Sequence, residues 1–99
     1  MLLLTAFEPF DGMEINSSQE ALRVFLQRHP QGINGLPVVG VTLPVVYEDD
    51  VTELRHACDE LQPRAILHLG QTSGSLVAVE RVAVNLKLLN LECVLEVAP

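Results

Sequence analysis

The sequence predicts an α/β fold of the three-layer α/β/α kind with a mainly parallel sheet. Three observations carry that expectation. Short continuous apolar runs at residues 2–6, 38–43 and 65–69 alternate with amphipathic segments that start near Ser17 and Asp49. The residues are 48% hydrophobic but only 4% aromatic, so the core must be aliphatic, which suits Val- and Leu-rich strands covered by helices. Each apolar run also stops at a breaker, at Phe7-Glu8-Pro9, at Leu43-Pro44 and at Leu69-Gly70, as strands do where they run into loops.

Taken in order, the first run leaves its strand at Pro9, which removes a backbone donor, and Asp11-Gly12 signals a turn. Ser17 with Glu20 three residues later reads as a capping box opening a helix whose apolar face is Ala21, Leu22, Phe25 and Leu26. His29-Pro30 closes that helix; a histidine in a last turn serves the free carbonyls and the helix dipole, so no catalytic role is assigned to it. Two glycines in residues 31–37 lead to the second strand, which ends at Pro44. Glu48, Asp49 and Asp50 gather negative charge where a helix N-terminus favours it, and Val51, Leu54, Cys58 and Leu61 share one apolar face of the second helix. Gln62-Pro63 ends that helix, and residues 65–69 form the third strand, with His68 an internal strand residue rather than a base. The β-α-β-α-β order implies right-handed crossovers that bring residues 7–10, 44–47 and 70–74 to one rim, where ligands bind in such sheets. Beyond Leu86 the pattern is less regular, with residues 93–97 as a candidate further strand.

A chain of 99 residues is one domain at most. The net charge of −7 and the lack of any Lys/Arg run argue against nucleic acid or an anionic membrane as partner, leaving small molecules or peptides. The apolar start at residues 1–6 has no charged n-region and meets Glu8, Pro9 and Asp11 too soon for a signal peptide. Nor does any stretch approach the length of a membrane span, so a cytoplasmic protein is expected. The two cysteines, Cys58 and Cys93, have neither metal-type nor framework spacing. They read as reduced, packed thiols, and neither a metal nor a cofactor is expected.

Glu80 stands out because it interrupts an apolar segment, 76–86, whose branched residues Val77, Val79, Val82 and Val84 favour an extended backbone. A carboxylate held among such residues must be paired or hydrogen-bonded. That leaves two readings, a structural ion pair or a carboxylate that holds a catalytic group. Arg81 is a poor direct partner, since neighbours on a strand point to opposite faces.

Three blocks, TAFEPFDGMEINSS, LPVVYEDD and LGQTSGSLVAVERVAVN, resemble segments of the pyroglutamyl peptidase I family, the pyrrolidone carboxyl peptidases, which are cytosolic cysteine peptidases. The resemblance spans residues 2–86 and implies that residues 1–99 are a single α/β domain or the N-terminal half of a larger peptidase domain. It implies that Glu80 is the third member of a Cys-His-Glu triad, orienting the histidine and stabilising its charged form. It further implies that Phe7 and Phe10 line the pyroglutamyl pocket, with Asn16 and Gln71 as polar positions beside it. A flat, mostly apolar lactam with one N–H and one C=O suits aromatic walls and one or two polar groups. The implied substrates are peptides with an N-terminal pyroglutamate.

The departures from the family are as informative. Its nucleophilic cysteine and its histidine come from a C-terminal half, and neither Cys58 nor Cys93 lies in a matching segment. This chain alone is therefore expected to be inactive. After Leu86 the residues LKLLNLECVLEVAP replace an Arg-Ile-Pro-Asp-Asn-like stretch, and Asn90 falls near an active-site arginine position. Asp11-Gly12 stands for Gly-Gly, and Asn16-Ser17-Ser18 for Asn-Pro-Ser. The alternative is a non-enzymatic α/β binding module, or an inactive truncated copy, whose turn at 70–74 would offer backbone donors to an anion. The apolar residues 86–97 predict either self-association or a complementary chain supplying the C-terminal half.

Overall fold

The computed structural model describes residues 1–10, 12–72 and 76–80, together with the backbones of two short strands further on. Three strands, β1 (Leu2–Phe7), β2 (Val38–Leu43) and β3 (Ala65–His68), form a sheet of order β2-β1-β3 in which both pairings are parallel. Helix α1 (Ser17–Arg28) connects β1 to β2, and α2 (Asp49–Leu61) connects β2 to β3. The α/β class, the parallel sheet and the two helix starts agree with the sequence expectation. The strands β4 (Leu86–Leu89) and β5 (Glu92–Leu95) pair antiparallel as a separate two-stranded sheet. β5 overlaps the strand expected at 93–97, whereas nothing in the sequence pattern singled out β4.

The two helices lie on opposite faces of the sheet. Leu4 and Ala6 on one face of β1 join Leu22 of α1 in the core, with Phe25, Leu26, Val38 and Leu69 packed around them. Phe7 and Leu43, on the other face, border an open cleft together with Val51 and Leu54 of α2. Period-two alternation along β1 thus sends alternate side chains to the two faces of the sheet, with α1 over one of them. Gly40 lets α1 come close to β2, since a Cβ there would stand 2.7 Å from Leu26 Cδ1 and 2.9 Å from Leu22 Cδ1.

The helix ends depart from the capping-box reading. The N-cap of α1 is Asn16, whose Oδ1 accepts from Ser18 N at 2.9 Å, while Glu20 pairs with Arg23 at 2.9 Å instead of reaching back to the cap. Asn is at least as good a cap as Ser, and its buried position here explains why it prevails. The acidic start of α2 is as expected, although its N-cap Glu48 has φ 75° and makes no side-chain cap bond. At the far end Gln62 adopts the left-handed region that glycine usually fills, and its side-chain amide donates to the Cys58 and Asp59 carbonyls. On α2 Ala57 is the buried residue, Leu54, Cys58 and Leu61 are half-buried, and Val51 is exposed.

The largest departure concerns residues 76–80. They form no strand and are exposed, with Val77 fully so. Branched side chains favour an extended backbone, but a strand also needs a partner for its N–H and C=O groups. Among the described residues no strand pairs with the outer edge of β3. The continuation of this segment at 81–85 lies outside the described residues. Among the described residues no helix is long and apolar enough to cross a membrane.

Candidate functional site

β1 is the central strand: the chain leaves it through α1 to β2 on one side, then crosses back through α2 to β3 on the other. Such a reversal of strand order opens a crevice between the loops at the carboxyl ends, and in parallel sheets ligands bind there. The loop after β1, the first turn of α1 and the segment after β3 meet at this point.

Polar side chains tie the three together. Asn16 is 1% exposed, and both polar atoms of its amide are bonded: Nδ2 donates to Glu8 O at 3.2 Å, and Oδ1 accepts from both Ser18 N and Ser18 Oγ. Ser18 Oγ also accepts from Phe7 N at 3.0 Å. Gln71 reaches across from the β3 side, its Oε1 accepting from Ser17 N at 2.6 Å and its Nε2 donating to Met13 Sδ at 3.8 Å. A helix's first N–H groups lack intrahelical acceptors, so Asn16 and Gln71 satisfy adjacent donors at the start of α1.

On the α2 side of the sheet lies an open cleft of about 190 Å³, lined by Phe7, Leu43, Asp50, Val51, Leu54 and His68. His68 is exposed here rather than core, and its Nδ1 hydrogen-bonds Thr5 Oγ1 across the β1–β3 pair at 2.6 Å. Asp50 Oδ1 accepts from Val51 N at 2.8 Å. Apolar walls with few polar groups suit a small, flat, weakly polar ligand.

The structure therefore joins Phe7, Asn16 and Gln71 through Ser17 and Ser18. Phe10 is 37% exposed and stands outside the cleft that Phe7 lines. Glu80 is exposed on the irregular segment 76–80, outside the polar network among the described residues. Ser18 was not singled out from the sequence. The signal was the second serine of Asn16-Ser17-Ser18, one position too deep in the helix to be read as a cap. Among the described residues no group of three or more His, Cys, Asp or Glu is placed to hold a metal ion. Cys58 is a free, half-buried thiol on α2.

Fold and crevice together define an α/β protein of the open parallel-sheet class, with a crevice at the strand-order reversal. The chain belongs to the pyroglutamyl peptidase family, which it matches over residues 1–92. It is 42% identical over 86 residues to the pyrrolidone-carboxylate peptidase of Pectobacterium carotovorum, covering 86% of this chain and 39% of that protein. Against the Klebsiella pneumoniae pyrrolidone-carboxylate peptidase it is 41% identical over 85 residues, 85% of this chain and 38% of that one. The crystal structure of pyroglutamyl peptidase I from Bacillus amyloliquefaciens superposes with a TM-score of 0.66 at 31% identity, over 76% of this chain and 35% of the other. The chain spans about two fifths of the length of the curated relatives it matches.

Proposed function

We propose that this chain is the pocket-bearing N-terminal portion of a pyroglutamyl peptidase, which removes pyroglutamate from the N-terminus of peptides. Family membership supports the reaction class. The single observation that carries the local reading is the hydrogen-bond network at the end of β1, which ties the Phe7 backbone N–H, Asn16 and Gln71 together through Ser17 and Ser18. Phe7 and Phe10 supply apolar wall for the lactam ring, and Asn16 and Gln71 hold the polar side of the pocket in shape.

In this reading a cysteine thiolate, from a region beyond the one that relatives share with this chain, attacks the pyroglutamyl carbonyl carbon. A histidine hands its proton to the departing amine, and water then hydrolyses the acyl-enzyme with the same histidine as base. Glu80 orients that histidine and stabilises its charged form. Exposure of Glu80 fits a carboxylate awaiting its partner. Thiol chemistry of this kind belongs in a reducing compartment, and we place it in the cytoplasm. The remaining portion of the peptidase is the natural partner of the exposed residues 76–80. The chain by itself is expected to self-associate through its apolar residues 86–97, which sedimentation at several concentrations would detect.

The test is hydrolysis of a pyroglutamyl amide with a chromogenic leaving group. The 99-residue chain alone is expected to give no turnover. Mixed with a separately produced C-terminal portion of the Pectobacterium relative it is expected to turn over, and Glu80→Gln is expected to reduce the rate of the mixture by about 10⁴-fold, as when a triad carboxylate is neutralised. Turnover by the chain alone that disappears in Cys58→Ser or Cys93→Ser would overturn the reading. A demonstrated complex of the two portions without turnover would do so as well.

A further inference from the structure

The backbone ladder at the end of β1 is interrupted on one side only, and Ser18 stands at the interruption. Along β1 the even-numbered residues bond to β2 and the odd-numbered ones to β3: Leu2 N donates to Pro37 O and Glu8 N to Leu43 O, while Thr5 O accepts from Leu69 N at 2.8 Å. In a parallel pair the evenly spaced bonds alternate between the two strands. The next rung on the β3 side would therefore run from Phe7 N to Leu69 O. Instead Phe7 N donates to Ser18 Oγ at 3.0 Å. On the β2 side the ladder continues beyond that point, to Glu8 N.

The Ser18 hydroxyl has no freedom in this arrangement. Asn16 Oδ1 can only accept, so Ser18 Oγ donates its single proton there at 2.6 Å, and a lone pair is left to accept from Phe7 N. Both side chains are buried, Ser18 at 4% exposed and Asn16 at 1%, which makes each bond costly to lose. Asn16 Nδ2 in turn holds Glu8 O, so Phe7 and Glu8, at the end of β1, are both fastened to the start of α1.

We propose that Ser18 is a positioning residue of the pocket. Its hydroxyl takes the place of the Leu69 carbonyl as acceptor for Phe7 N–H, ends the β1–β3 ladder, and so sets the opening of the crevice and the seat of the Phe7 ring. Thr5 and Leu69 stay paired as the last rung between the two strands. The assignment to pyroglutamyl binding rests on the function proposed above. The backbone role does not depend on it.

The experiment has two readouts on the full chain. Amide hydrogen exchange of Phe7, measured against Leu69 in the same ¹⁵N-labelled sample, is expected to lose protection by about tenfold or more in Ser18→Ala, and to keep it in Ser18→Thr, which retains the hydroxyl. Should Ser18→Ala fail to fold, Ser18→Cys keeps the shape with a much weaker partner and gives the same comparison. In the complemented peptidase, Ser18→Ala is expected to raise KM about tenfold with kcat nearly unchanged, and Ser18→Thr to restore it. A role in stability alone would lower the active fraction and leave KM where it was.

Unchanged Phe7 protection in Ser18→Ala would mean that Phe7 N–H pairs with Leu69 O, and would overturn the proposal. So would a fall in kcat at constant KM. Absence of turnover in the unsubstituted mixture would instead count against the functional reading, with the exchange comparison still deciding the role of the hydroxyl.

Discussion

β1 and β3 read almost alike, LLLTAF against AILH, and the fold treats them oppositely. Leu3, Leu4, Thr5 and Ala6 are buried, whereas every residue of β3 is exposed, with Ile66 at 40% and Leu67 at 52%. The difference is one of place in the sheet. β1 has a hydrogen-bonded strand on each side and a helix over one face, and β3, among the described residues, pairs on one side only. Hydrophobic runs of equal quality thus contribute very different free energies, because burial depends on neighbours that the run itself does not encode. The consequence for function is a division of the candidate site. The region resting on β1 and α1 is built by residues of this chain, while the segment carrying Glu80 extends from the unsupported side.

That contrast can be broken most sharply in the core. Leu22→Ala removes the side chain that α1 places against Leu4, Ala6 and Gly40, and is expected to cost about 2–5 kcal/mol in chemical denaturation. Gly40→Ala is expected to cost about 1–3 kcal/mol, because the added methyl must displace Leu26 Cδ1 and Leu22 Cδ1 in a packed layer. Asn16→Ala tests the polar portion of the same region, and loss of the cap with its buried bonds is expected to cost about 1–2 kcal/mol. On the other side of the comparison, Leu67→Ala on half-exposed β3 is expected to cost about 1 kcal/mol or less. Arg23→Ala, which breaks an exposed i,i+3 ion pair, is expected to fall within about 0.5 kcal/mol of the parent chain. A Leu67→Ala penalty as large as that of Leu22→Ala would erase the distinction between the two strands.

The elements themselves are legible in the sequence because their boundaries are chemical. The run 38–43 is bounded by Pro37 and Pro44, the acidic cluster at 48–50 marks the start of α2, and Gln62-Pro63 its end. The parallel order follows from the β-α-β-α-β sequence. What is not legible depends on tertiary partners. Residues 76–80 have strand-forming composition, yet take no regular structure in the absence of a neighbouring strand among the described residues. Asn16 prevails over Ser17 as cap because its amide also reaches Glu8 O, a contact set by the loop and not by local spacing. Ser18 acquires its place only where a ladder ends, which no periodicity records. Family likeness points to Phe7, Asn16 and Gln71, but it is the geometry that links them through the first turn of α1.

The division between a self-supported and an unsupported side is tested most directly by amide hydrogen exchange over the whole 99-residue chain. By the alternation along β3, Leu67 and Leu69 donate into β1, and the N–H groups of Ile66 and His68 face the open edge. The slowest exchange is expected in β1, slow exchange at Leu67 and Leu69, and near-unprotected exchange at Ile66, His68 and residues 76–80. Protection of Ile66 and His68 equal to that of Leu4 and Ala6 would contradict the division, because the edge of β3 would then be covered.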